Sequence, residues 1–317
     1  MDYEEKKRIA QAQIESIINA GAPIVKLNIF DILDGYVPTE YIKNQVEYTK
    51  ELYLDLVAKL REFSEEDQIT FLKTLKETDI IDNQSIEKED PFLIALHRNF
   101  ESTFSVDLLL EKLALGEKIS KEEFVKIHDN LLLGTSSENK LGLRDNDLKF
   151  VGSYEINPQT KFSFENRAIS YFPLRHTEID TALEKFLNFI NSGVKPNDEY
   201  DIALLPMACH GLIAALQLFK DGNTRYGRLI QNVLIYKLAN EELGLEDLRL
   251  PLVYATRQYA AYRGEYRKKI ENIVLNNDAK AWEEWFDFNL KRIQDGLYYN
   301  SNSLDTLRRY KGKMRHF

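Results

Sequence analysis

Two stretches of this chain, residues 201–218 and 225–240, are apolar on most helical faces, and a tight polar turn separates them. Ile202, Leu204, Leu205, Leu212, Ile213 and Leu216 lie in the first, and Leu229, Ile230, Val233, Leu234 and Leu238 in the second. A helix that is apolar all round has no face to offer to water, so it belongs at the centre of a helical assembly. The turn Asp221-Gly222-Asn223 therefore joins the two innermost helices and stands on a rigid mount.

Arg225 and Arg228 follow on the first turn of the second helix, three apart, so both guanidinium groups point to one side. The start of a helix offers N–H groups without intrahelical partners and the positive end of the dipole, which suits an anion. Two arginines add a forked grip on phosphate oxygens. A carboxylate beside them, Asp221, is a natural ligand for Mg²⁺. Taken alone, Asp-Gly-Asn is also an ordinary interhelical turn and the arginines an ordinary solvated pair. The full spacing, with Phe219 before and Gly227 after, favours a site for a polyphosphate with a metal.

The stretch Gln217-Leu-Phe-Lys-Asp-Gly-Asn-Thr-Arg-Tyr-Gly-Arg228 resembles the signature of the Fic/Doc (Fido) family, His-x-Phe-x-Asp/Glu-Gly-Asn-Gly-Arg-x-x-Arg. Cys209-His210 in the preceding helix extends the resemblance, as do Tyr259, Tyr262, Tyr266, Trp282, Trp285, Phe286 and Phe288 after it; it covers about residues 75 to 295. Main-type members of that family transfer AMP from ATP to a hydroxyl of a target protein. The resemblance implies a mostly α fold: a Fic-like helical core with one β-hairpin flap, plus N-terminal and C-terminal helices. It implies that Asn223 and the backbone N–H groups of Gly222 and Thr224 hold the α-phosphate and that Asp221 holds Mg²⁺. By the same resemblance Arg225 and Arg228 contact the outer phosphates, Gly227 completes the signature, and Phe219 fixes the loop from the core.

Two positions depart from that signature. The family's general-base histidine falls on Gln217, whose amide has no useful basicity and can orient a hydroxyl but not take its proton. Loss of a general base costs on the order of 10²–10⁴ in rate. Thr224 replaces a glycine, so the backbone there is either helical or strained, and its side chain projects toward the phosphate space. His210 lies two turns before Gln217, roughly 10 Å along the helix, too far for one proton transfer. His176, after the predicted flap, is the only candidate stand-in among the five histidines, which also include His97, His128 and His316.

The 317 residues, 44% hydrophobic and 29% charged, suit a globular protein with a substantial core. No apolar run is long enough to cross a bilayer, and the first residues carry no signal-peptide pattern. A single cysteine, Cys209, excludes an internal disulfide and makes a cytoplasmic location the expectation. The net charge of −9 argues against nucleic-acid binding. The basic run from Arg308 to Lys313 reads as a solvated tail. Zinc-type, Walker-type and dinucleotide glycine patterns are all missing from the sequence.

Along the chain, helices are expected over 4–20, 39–62, 64–77, 91–115, 121–133 and 177–192, with further helix over 249–295. Residues 24–34 fit either a strand or a helix. Residues 79–90 read as polar and irregular, and the chain beyond Gly296 as polar and loosely ordered. Strand-like pieces at 149–156 and 168–172 predict the hairpin flap, with Asn157-Pro158-Gln159-Thr160 helping to turn it. These readings divide the chain into an N-terminal helical region (1–74), a Fic-like core (75–248, flap at about 145–175) and a C-terminal extension (249–317).

Asn83-Gln-Ser-Ile-Glu87-Lys88 resembles the family's inhibitory motif, Ser/Thr-x-x-x-Glu-Gly/Asn, in its N-terminal form. The resemblance implies that Glu87 pairs with Arg228 and blocks productive ATP binding. Asn83 and Lys88 depart from it.

The reading favoured is a nucleotide-gated regulator, related to AMP-transferases but impaired in transfer. It would bind ATP or a related nucleotide with Mg²⁺ and dock a target protein on the flap, and a homodimer is compatible with it. The alternatives are an active transferase that works without the histidine base, and a helical interaction domain with no ligand.

Overall fold

The computed structural model describes residues 2–86, 112, 117–153, 160–192, 199–244 and 251–314. Among the described residues the chain is mostly helical, with eleven α-helices and one small antiparallel sheet. The N-terminal part contains α1 (Tyr3–Asn19), α2 (Ile29–Asp34), α3 (Glu40–Leu60) and α4 (Glu65–Ile86). Next come α5 (Lys121–Leu132), the strands β1 (Val151–Ser153), β2 (Ser163–Phe164) and β3 (Arg167–Tyr171), and α6 (Ile179–Ser192). The centre is α7 (Glu199–Leu216) and α8 (Asn223–Leu243), followed by α9 (Thr256–Ala261), α10 (Arg263–Asn276) and α11 (Ala279–Met314).

The two apolar helices, α7 and α8, are central as expected: Leu212, Ile213 and Leu216 are fully buried, and Ile230 and Val233 nearly so. They approach closely because Gly227 faces His210. A Cβ at Gly227 would lie 2.7 Å from His210 Cδ2 and 3.2 Å from the His210 carbonyl oxygen. Trp282 and Trp285 of α11, both fully buried, close the core from the far side of α7, and Trp285 Nε1 donates to the Met207 carbonyl at 2.7 Å.

Helix α4 runs to Ile86, through residues that read as irregular in the sequence. Polarity there marks a buried polar seam rather than a loop. Asp79 and Asn83 are buried and face partners on α8, with Asn232 Nδ2 donating to Asp79 Oδ2 at 3.3 Å. The expected helix over 91–115 lies outside the described residues apart from Lys112.

Between Gly296 and Met314 the chain is helical rather than loosely ordered, as α11 continues along α3 and α4. Its stripe of Leu290, Ile293, Leu297 and Leu304 is buried. Lys59 of α3 donates to Ser301 Oγ at 2.6 Å and pairs with Asp305 at 3.3 Å. The basic run is ion-paired rather than simply solvated: Arg308 pairs with Glu62, and Lys311 with Asp67.

The sheet has three strands in the order β1-β3-β2, all antiparallel. The tight turn lies at Glu165 and Asn166, both with positive φ, joining β2 to β3. Of the turn read from the sequence, Asn157 to Gln159 lie outside the described residues. Residues 24–34 combine both expectations: Ile24 bridges to Phe172 and α2 begins at Ile29.

Candidate functional site

The turn between α7 and α8 is held from several sides. Gln217 ends the α7 side with φ +52°, and Gly222 opens α8 with φ +72°. Asn223 staples the loop to itself: its Oδ1 accepts from the Phe219 N–H at 2.9 Å, and its Nδ2 donates to the Phe219 carbonyl at 2.9 Å. Thr224 is helical, which settles the choice between helix and strain at that position. Phe219 is buried and stacks on His128, with ring centroids 3.6 Å apart.

Three residues that sequence reading did not single out complete this mount. His128 Nε2 lies 2.9 Å from the Asp221 carbonyl oxygen, and its Nδ1 lies 2.9 Å from Asp129 Oδ1. Asp129 in turn accepts from the Gly142 N–H at 2.8 Å. Arg144, buried, donates from Nε to the Gln217 carbonyl at 2.6 Å and from Nη1 to the Asn146 carbonyl at 3.1 Å. Burial lowers the Arg144 guanidinium to about 10, only partly countered by Asp147. Residues 142–144 also run beside the turn as an antiparallel bridge, Leu143 against Phe219. The available sequence signal was weak: His128 and Asp129 lie within the helix expected over 121–133, and Arg144 lies just before the stretch read as flap.

A cleft of about 330 Å³ opens over the turn. Gln217, Gly222, Asn223 and Thr224 form its floor, with Asp221 at the rim. Lys149, Arg167 and Tyr171 line the sheet side, Ile86 comes from the end of α4, and Arg263, Tyr266, Arg267 and Glu271 come from α10. The volume lies in the range of small-molecule sites.

Gln217 is buried within this floor. Its Nε2 donates to the Ala214 carbonyl at 2.7 Å, and its Oε1 accepts from Asn223 Nδ2 at 3.3 Å. Among the described residues no histidine lines the cleft. His210 is fully buried between Tyr266, 2.8 Å from Nε2, and Gln231. Burial first, then Arg228, depress its imidazole to about 3 despite the Gln231 bond, so it is neutral at physiological pH. His176 is held by Asp147, which accepts its backbone N–H at 2.7 Å and lies 3.0 Å from its Nδ1. His97 and His316 lie outside the described residues.

Asp221 lies on the cleft rim as a carboxylate. Burial raises its pKa, but the Gly222 N–H, Lys149 and Lys140 outweigh that and bring it to about 2. Its Oδ2 accepts from Ser137 Oγ at 3.0 Å and from Lys140 Nζ at 3.1 Å. Arg225 and Arg228 are buried and do not line the cleft. Arg225 donates to Ser137 Oγ at 3.1 Å, and Arg228 donates from Nε to Asn83 Oδ1 at 2.6 Å. Asn83 heads the stretch that resembles an inhibitory motif; Glu87 of that stretch lies outside the described residues.

Residues 118–235, which include α5, the sheet and the turn, match the Fic/DOC family model. This chain carries a Fic/DOC family domain. No curated protein sequence matches it. Among solved structures it is similar to a Fic family protein from Desulfovibrio desulfuricans, with 14% identity and a TM-score of 0.54, over 84% of this chain and 76% of that one. It is also similar to Fic-1 from C. elegans, with 14% identity and a TM-score of 0.50, over 84% of this chain and 73% of that one. At these identities the likeness is one of fold. Among the described residues no helix is long and apolar enough to cross a membrane.

Proposed function

We propose that the cleft of this Fic-domain protein binds ATP or a related nucleotide with Mg²⁺, and that the protein acts as a nucleotide-gated binding partner with impaired AMP transfer. The observation that carries this reading is the state of Gln217. It occupies the base position of the signature, its amide is committed to Ala214 and Asn223, and no imidazole among the described residues lines the cleft. Binding needs only the floor of N–H groups and nearby cations, whereas transfer also needs a proton acceptor.

Asp221 fits a cation that arrives with phosphate oxygens. It is ionised and partly exposed on the cleft rim, and Lys140 is a surface side chain able to yield its place. Among the described residues no group of three or more His, Cys, Asp or Glu is placed to hold a metal, so phosphates and water would complete the shell. When bound, Mg²⁺ would neutralise charge on those oxygens. Thr224, whose side chain borders the same space, would restrict or bond the phosphates. A target protein segment would add to the sheet at β1 or β2, which stand at its two edges.

The test is calorimetric titration with ATP and MgCl₂ beside a transfer assay with α-labelled ATP, on the natural chain and on Gln217→His. Saturable binding without label transfer in the natural chain, and transfer after Gln217→His, is the expected result. Histidine is tolerated at positive φ better than most residues, so the variant suits the position. Efficient labelling by the natural chain would replace this reading with that of an active transferase lacking the histidine base.

A further inference from the structure

Among the described residues, four cationic side chains line the cleft from outside the signature turn: Lys149, Arg167, Arg263 and Arg267. Arg263 and Arg267 are four apart on α10 and so share a face. Lys149 reaches the turn from the cleft, donating to the Lys220 carbonyl at 3.1 Å and to the Phe219 carbonyl at 3.4 Å. Arg167 lies over the Phe150 ring at 4.7 Å, which anchors its position. Among the described residues, two carboxylates share the cleft. Asp221 is engaged by Lys140 and Ser137, and Glu271 accepts from Ser170 Oγ at 2.9 Å.

Cations outnumber carboxylates among the described residues of this cleft, in a chain whose net charge is −9. Low-dielectric walls focus such a field on whatever enters. The arginines of the turn itself, Arg225 and Arg228, are held against Ser137 and Asn83, outside the cleft.

We propose that Arg263 and Arg267, together with Lys149 of the same cleft, form an anion subsite that grips the outer phosphates of a polyphosphate ligand while Arg228 remains bound to Asn83. This rests on the nucleotide reading for the identity of the ligand, but the subsite itself requires only a chain of phosphates. Two guanidiniums on one helical face offer paired N–H donors to neighbouring phosphate oxygens. Lys149 supplies a point charge where the ligand meets the turn. Arg267 is exposed and Arg263 only partly buried, so neither side chain is needed to fill the core.

The experiment is calorimetric titration of the full chain with MgATP, adenosine and inorganic tripolyphosphate, on the natural chain, on Arg263→Ala/Arg267→Ala and on Arg267→Glu alone. The double variant is expected to lose at least roughly ten-fold in affinity for MgATP and for tripolyphosphate, with adenosine binding unchanged. Arg267→Glu, at an exposed position, is expected to weaken both anions in the same direction without altering the thermal melt. If the natural chain binds tripolyphosphate but not MgATP, the nucleotide reading fails while the subsite survives. Unchanged affinity for both anions in the double variant, or no tripolyphosphate binding by the natural chain, overturns the subsite.

Discussion

Arg228 of α8, fully buried, donates from Nε to Asn83 Oδ1 of α4 at 2.6 Å, across 145 residues of sequence. This bond ties the second arginine of the signature to the N-terminal region. Asn83→Ala removes an acceptor from a buried cation, and such losses cost about 1–3 kcal/mol. Urea unfolding is expected to show a loss of that size. A loss below roughly 0.5 kcal/mol, the level of a neutral surface change, would mean that Asn83 does not hold Arg228 in solution.

Asp79, one turn earlier on α4, gives the same seam a pH dependence. Burial raises its carboxyl to about 7; Asp82 adds to the rise, while Thr256, Arg228 and Asn232 oppose it. Its unfolded value is about 3.9. Because the folded value is the higher one, the stabilisation is complete below about pH 4 and is lost as pH rises toward 7. Asp79→Asn is expected to flatten stability between those limits and to leave the variant more stable than the natural chain at pH 8. Parallel stability–pH curves for the two proteins would refute the shift.

Gly222 pays for its place in the turn with conformation and space together. Its φ is +72°, and a Cβ would lie 2.6 Å from Leu132 Cδ2 and 3.2 Å from His128 Nε2. Gly244, also at positive φ, has nothing among the described residues within 4 Å of a Cβ. Gly244→Ala is therefore expected to cost only the left-handed penalty, about 1–2 kcal/mol, and Gly222→Ala clearly more. Chemical denaturation of the two variants isolates the steric part, and equal costs would show that Leu132 and His128 yield freely.

The central helices and the turn were readable because their signals are local: apolar residues on every face, then Asp-Gly-Asn, then two arginines at helical spacing. Thr224 shows a further kind of legibility, since sequence left helix or strain open and the helix resolves it. What sequence does not carry is which distant residue a side chain meets. Arg144 supports Gln217 from 73 residues away, and His128 supports Asp221 from 93 residues away. Buried polarity misled in the same way. Asp79 and Asn83 look like loop residues until α8 is placed beside them. The cations of α10, Arg263 and Arg267, are interleaved with Tyr262 and Tyr266, whose aromatic pattern is the stronger sequence signal.

Helix α11 beyond Gly296 tests the opposite error, in which a polar surface concealed a packed stripe. Leu304 is 1% exposed, whereas Arg308 and Glu62 form an ion pair at the surface. Removing a buried leucine side chain costs about 2–5 kcal/mol, and an exposed ion pair is worth about 0–1 kcal/mol. Leu304→Ala is therefore expected to lower stability by more than about 2 kcal/mol and Arg308→Ala by less than about 1 kcal/mol. Added salt is expected to shrink the Arg308 effect while leaving the Leu304 effect intact, since screening acts on charges and not on packing. A silent Leu304→Ala would mean that the last turns of α11 do not pack on α3 in solution. Only the packed case makes the C-terminal helix part of the same cooperative unit as the cleft.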